Sequence, residues 1–351
     1  MEDRHYAILR KENFNGFIST LSKLHKLVAP VFKGYNNYAF EEVNSGKEIA
    51  LKYIPTILPP KKFFMPVHET LLEYDLCNGL KADAVTEYEE MFLFGVHTCD
   101  IAGIQCLNMV FSEHPEDHNY LIHKQNINII GLECNEYCDK YANCRLMNTH
   151  MPDGGYDIFF TDLGDHFIVH INTPAGEEII ESAGFFESAE RYHLEELALF
   201  REKKRALFKN ELPIESEFIP DLFDWSFESN VWNDLDERCL ACGNCTNVCP
   251  TCYCFDIRDE IDLCLTKGVR YRVWDSCQLE PFAKVAGGKN FRKTRKERQR
   301  HRYYRKFRYP IDRFSRSFCT GCGRCSRTCM AGIRLKETLK ALIEFKEGAK
   351  A

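Results

Sequence analysis

Eighteen cysteines are the residues of this 351-residue chain most able to do chemistry, and eight of them are spaced by rule. Cys239, Cys242, Cys245 and Cys249 read C-x2-C-x2-C-x3-C and are followed by Pro250. Cys319, Cys322, Cys325 and Cys329 repeat that spacing near the C-terminus, with Met330 in the place of the proline. Three thiolates within seven residues suit three corners of an iron–sulfur cube, because each two-residue gap turns the next sulfur inward. The fourth cysteine of such a run ligates the other cluster of a pair. By that rule Cys239, Cys242, Cys245 and Cys329 hold one [4Fe–4S] cluster, and Cys319, Cys322, Cys325 and Cys249 hold a second. Structural zinc is the competing reading. Zinc sites pair two short C-x2-C units across roughly a dozen residues or more and do not crowd four cysteines into eleven.

A looser set lies upstream. Cys99, Cys134, Cys138 and Cys144 supply the four thiols that one more cube needs, but C-x3-C-x5-C matches no general motif. On spacing alone it fits zinc or buried core cysteines as readily as a cluster. Of the rest, Cys77, Cys106 and Cys264 read as small core hydrophobes. Cys252, Cys254 and Cys277 stay open between thiols beside a cluster, ligands of a further site, and a redox pair.

The elements that must position these residues fall into two parts. Composition, 44% hydrophobic and 28% charged, is that of a globular protein with a core. Residues 1–225 read as a mixed α/β domain carrying the third cluster site. "INIIGL" (127–132), "DIFFT" (157–161) and "HFIVHI" (166–171) are strand-like, and residues 187–208, without Gly or Pro, predict a helix with Leu194, Leu197, Phe200 and Leu207 on one face. The acidic, proline-containing stretch 210–230 reads as a connection. Residues 226–351 predict a mainly helical ferredoxin-type domain with two [4Fe–4S] clusters and about seventy residues inserted between its cysteine motifs. The chain closes with a short amphipathic helix that spaces Leu335, Leu339 and Leu342 at i, i+4, i+7.

Charge is uneven. Residues 284–308 hold twelve Lys or Arg and one acid, Glu297, in a chain of net charge −6. Three fates compete for this belt: a solvated helix face, nucleic-acid contact using Tyr303, Tyr304 and Phe307 as stacking platforms, or electrostatics toward a cluster or partner. The anionic cubes nearby favour the last and argue against nucleic acid. The opening "MEDRHYAILRKENF" is charged throughout, so no secretory signal is expected, and no stretch approaches the roughly 20 apolar residues of a membrane span. So many thiols without a disulfide pattern point to the reducing cytoplasm. No phosphate-binding glycine loop, Ser/His/Asp arrangement or H-E-x-x-H stands out, so no catalytic residue is named and no cofactor beyond the clusters is expected.

With these motifs in view, the chain resembles the beta subunits of cytosolic sulfhydrogenases and the iron–sulfur electron-transfer subunits of anaerobic sulfite reductases. The resemblance rests on "GVHTCDIAGIQCLNMVF", "IIGLECNE", "GYDIFFTDLGDHFIVHI", "CLACGNCTNVCPTCYCFDI", "WDSCQLEPFAKVAGGKNFR", "RHRYYRKF" and "CTGCGRCSRTC", in that order, over about residues 60–330. It implies an electron-relay subunit of an anaerobic redox complex, not itself the catalyst, with Cys99, Cys134, Cys138 and Cys144 holding a third [4Fe–4S] cluster. It further implies two partners: a flavin-containing NAD(P)H or ferredoxin oxidoreductase subunit, and a catalytic hydrogenase or sirohaem sulfite reductase subunit. The alternative is a cluster enzyme that itself reduces a sulfur compound or disulfide.

Overall fold

The structure, a computed structural model, describes residues 5–77 and 81–348, so the outermost residues of both expected domains lie outside the described residues. Among the described residues the strands are, in chain order, β1 (Tyr6–Arg10), β2 (Lys26–Phe32), β3 (Tyr38–Glu42), β4 (His68–Asp75), β5 (Lys81–Ala84), β6 (Met91–Val96), β7 (Ile127–Leu132), β8 (Ile158–Asp162), β9 (His166–Ile171), β10 (Phe186–Ser188), β11 (Phe255–Ile261) and β12 (Lys267–Trp274). Eight of them form one sheet in the order β10-β1-β9-β8-β7-β6-β2-β3. Its centre, β2-β6-β7-β8, is parallel and its flanks are antiparallel.

Central parallel strands are covered on both faces and read as continuous apolar runs. Met91–Val96, MFLFGV, is buried at every position. The helices Phe14–Leu24 and Pro174–Ala183 cover one face, packing Phe17, Leu21 and Ile179 on Phe94 and Phe160. The helices Thr98–Phe111 and His118–Gln125 cover the other, packing Ile104, Leu107 and Tyr120 on Leu93 and Phe159. The expected strands at 127–132, 157–161 and 166–171 are therefore present, within a residue at their ends. The helix expected at 187–208 runs Arg191–Leu207, but its buried residues are His193, Leu197 and Lys204, and Leu207 is exposed. An ion pair described below selects Lys204 for the core.

The second half is mixed in character. Short helices surround the cysteine motifs, but the insertion between them opens with the hairpin β11–β12, which pairs with β4 to make a four-stranded antiparallel sheet, β11-β12-β4-β5. Arg272 of β12, only 2% exposed, fastens this sheet by ion pairs to Glu69 of β4 and to Asp117, each at 2.5 Å. The stretch read as a connection contains a helix, Ile219–Trp225, with Pro220 at its start. Proline is tolerated in a first helical turn, where its missing N–H has no partner to lose. Leu222 and Phe223 carry this helix into a core with Trp232, Tyr303, Tyr304, Phe307, Leu339 and Leu342. The closing helix, Leu335–Gly348, buries Leu335, Leu339 and Leu342 as its spacing predicts.

The basic belt folds unlike a solvated face. Thr294 caps the helix Arg295–Phe307 in a reciprocal box with Glu297, the stretch's single acid. Arg298, Arg302 and Lys306 are buried along this helix together with Tyr303, Tyr304 and Phe307, so these aromatic rings are not available as stacking platforms.

Candidate metal centres

The two ferredoxin-type loops share one backbone. Ala241 and Gly321 take φ of 51° and 65°, and Gly243 and Gly323 take 76° and 77°, each of the latter pair opening a short helix that carries Cys245 or Cys325. Successive N–H groups in such turns face inward toward negative charge; the Ala241 N–H donates to Cys239 Sγ at 3.3 Å.

The two short helices pack on each other, and side chains near their ends tie the two loops together. Asn244 Nδ2 donates to the Thr328 carbonyl at 2.8 Å, which brings Cys329 to the first loop. Thr251 Oγ1 donates to the Phe318 carbonyl at 2.5 Å and accepts from Lys306 Nζ at 2.6 Å, which draws the Cys249 segment to the second loop. Cys239, Cys242, Cys245 and Cys329 line one cavity, which Cys325 also borders, with Gln299 donating to Cys239 Sγ at 2.9 Å. Cys319, Cys322, Cys325 and Cys249 form a second group in which the charge of Cys319 is felt against Cys325, Cys249 and Cys322.

Burial pushes two of these thiols up, Cys245 to about 12 and Cys322 to about 11. A bound metal takes the place of the proton on such a thiol. Two cations of the basic helix answer that charge. Burial disfavours the Arg302 cation, but Cys245, Cys325 and Cys249 outweigh it and raise its pKa. For Lys306, likewise, Cys249 and Cys252 outweigh burial. The hydrogen bond from Cys252, assisted by Lys306 and opposed by burial, holds Cys249 well below the usual thiol range.

The upstream set lies at the carboxyl ends of the adjacent parallel strands β6 and β7, where open α/β sheets bind ligands. Cys99 sits in the first turn of the helix Thr98–Phe111, where burial, more than the neighbouring Asp100, pushes its thiol well above the usual range. Cys134 follows β7 by two residues and shares a hydrogen bond with Cys138. Cys99 lies within electrostatic reach of Cys134 and Cys138, and Cys144 of Cys138. Beside Cys134 and Cys138 opens a cavity of about 220 Å³ lined also by Tyr53, His97 and Glu133.

Each of the three sets brings four thiols into one neighbourhood, the donor chemistry that an iron–sulfur cluster takes. Among the described residues no three His, Cys, Asp or Glu side chains are gathered tightly around one point, and the first set lines a cavity.

Several supporting residues were not singled out from sequence. Arg324, between Cys322 and Cys325, meets Asp100, next to Cys99, through Nη1 at 2.6 Å and Nη2 at 2.8 Å with both side chains wholly buried. Glu133, beside Cys134, accepts from Lys204 at 3.0 Å, Arg201 at 3.2 Å and Thr161 at 2.7 Å. The available signal was a charged residue inside, or next to, an otherwise apolar or ligand-bearing run.

The 4Fe-4S dicluster domain family model matches residues 238–333. Along nearly its whole length the chain is similar to sulfhydrogenase 2 subunit beta of Pyrococcus furiosus, 38% identical over 348 residues, covering 98% of this chain and 99% of that one.

Proposed function

The chain belongs to the sulfhydrogenase beta-subunit family and is an iron–sulfur electron-transfer subunit, and from that premise we propose that its three cysteine sets form one continuous relay. Bound at these sets, [4Fe–4S] cubes would supply one-electron redox couples. The chain's own residues arrange the sets in a row, and this adjacency carries the reading. Cys245 and Cys325 stand within each other's electrostatic reach, as do Cys322 and Cys99. The loop of the second set docks on the loop of the third. The Asn143 N–H donates to the Gly321 carbonyl at 2.6 Å, and a Cβ added at Gly321 would stand 2.4 Å from the backbone of Asn143. The middle set, Cys319, Cys322, Cys325 and Cys249, is thus flanked on both sides.

The ends of the row reach the surface. Cys242 is exposed with Leu240 and Met330 beside it, and the cavity of about 220 Å³ adjoins Cys134 and Cys138. One partner would dock at each end: a flavin-containing or ferredoxin-linked oxidoreductase subunit, and a catalytic hydrogenase or sulfite reductase subunit. A second reading, direct reduction of a sulfur compound by this chain, is favoured by that cavity alone, and turnover by the isolated, cluster-loaded chain would carry it. Among the described residues no helix is long and apolar enough to cross a membrane.

Anaerobically purified chain is expected to contain about twelve iron and twelve acid-labile sulfide, four of each per set. Cys134→Ser should lower both to about eight and leave two cubes spectroscopically intact. Stoichiometric zinc with little iron would end the reading. Lys306→Met should lower the potential of the middle set, because a buried cation stabilises the more negative reduced state; an unchanged potential in a redox titration would remove Lys306 from that role.

A further inference from the structure

Three thiols are left over beside the first two sets, and two of them face each other. Cys254 immediately precedes β11 and Cys277 lies three residues past β12, so the hairpin holds both at its inner end. The register Phe255↔Trp274 and the Asp275 N–H donating to the Cys254 carbonyl at 3.0 Å fix the two backbones. Their sulfurs share a hydrogen bond; Cys277 is 6% exposed and Cys254 half-buried. The third thiol, Cys252, is engaged elsewhere, with Cys249 and Lys306. The pair borders the relay, since Cys277 lies within electrostatic reach of Cys245.

We propose that Cys254 and Cys277 form a reversible disulfide, a two-electron site beside the first cysteine set. On oxidation the two thiols give up two protons and two electrons and an Sγ–Sγ bond forms. On reduction the same bond breaks, two electrons enter and two protons return. The electrons are exchanged one at a time with the iron–sulfur couples of this chain, so the inference rests on the relay proposed above. The protons exchange with solvent, which reaches the half-buried Cys254. A dithiol is the natural accumulator in such a place, because it converts single electrons into the pairs that hydride donors and sulfur compounds require.

The test uses the full, cluster-loaded chain under anaerobic conditions. Protein is equilibrated in oxidised and reduced dithiothreitol buffers, quenched in acid, alkylated, digested and read by mass spectrometry, with iron counted on the same samples. A Cys254–Cys277-linked peptide should form in the oxidised buffer and disappear in the reduced one, with iron unchanged. Cys254→Ser and Cys277→Ser should each abolish it while keeping full iron. Photoreduction of the clusters should open the disulfide at least about tenfold faster than in a Cys239→Ser variant. No linked peptide at any poise, a link through Cys252 instead, or loss of iron in Cys277→Ser would overturn the proposal, the last by making the thiol a ligand. Equal opening rates with and without the first set would overturn its connection to the relay. Iron content and cluster spectra report separately on the relay, so failure of the pair and failure of the relay are told apart.

Discussion

Asp100→Asn is expected to destabilise the folded chain by about 3–5 kcal/mol, the usual cost of breaking a buried ion pair from one side. The substitution hardly changes shape but leaves the Arg324 guanidinium, wholly buried, without its counter-charge. Arg324 keeps its hydrogen bonds to the Thr56 carbonyl and hydroxyl, which are neutral acceptors. The loss is large beside a typical stability of about 5–15 kcal/mol. The pair also joins two cysteine sets, because Asp100 follows Cys99 and Arg324 lies between Cys322 and Cys325. Iron should therefore fall from the second and third sets while the first keeps its own. Denaturant unfolding and an iron count check both halves. Replacing both partners by apolar residues, Asp100→Leu with Arg324→Met, should recover much of the stability, since apolar isosteres leave no orphaned charge. Unchanged stability and iron in Asp100→Asn would show that this contact does not hold the two sets together.

Cys249→Ser is expected to remove about four of twelve iron atoms, and to remove them from the distant set. Its sequence neighbours Cys239, Cys242 and Cys245 should keep their cube, completed by Cys329, while the cube of Cys319, Cys322 and Cys325 is lost or converted. The hydrogen bonds from Asn244 to Thr328 and from Thr251 to Phe318 support this expectation, since they tie the segment next to each fourth cysteine to the other loop. Selective cluster loss read by paramagnetic resonance would distinguish the cases. Damage confined to the local set would mean that each motif ligates its own cube.

Much of the candidate site was legible because ligand spacing is local. Two-residue gaps set the direction of successive sulfurs whatever surrounds them, so the eight ferredoxin-type cysteines could be grouped from sequence. Buried strands such as 127–132 and the closing helix were legible for the same reason, their apolar periodicity being a property of a few consecutive residues. The capping box of Thr294 and Glu297 was equally local and could have announced the helix of the basic belt.

What the sequence by itself determined is the chemistry of the second half: a repeated cysteine spacing that marks a 4Fe-4S dicluster domain. Tertiary structure alone decided where the charges go. The run of twelve cations reads as electrostatics toward a cluster or partner, but which cations are buried is not a local property, because burying one unpaired charge is costly. Arg302 and Lys306 are buried because thiols from other segments surround them, Cys245, Cys249 and Cys252 among them from more than fifty residues away in sequence. Lys204 enters the core of its helix for the same reason, because Glu133 of a different element is waiting there. The meeting of Asp100 with Arg324, and of Cys254 with Cys277, likewise depends on partners that no local window contains. The compensation that makes a buried charge or thiol pair stable is a sum over distant residues, and only the folded chain performs it.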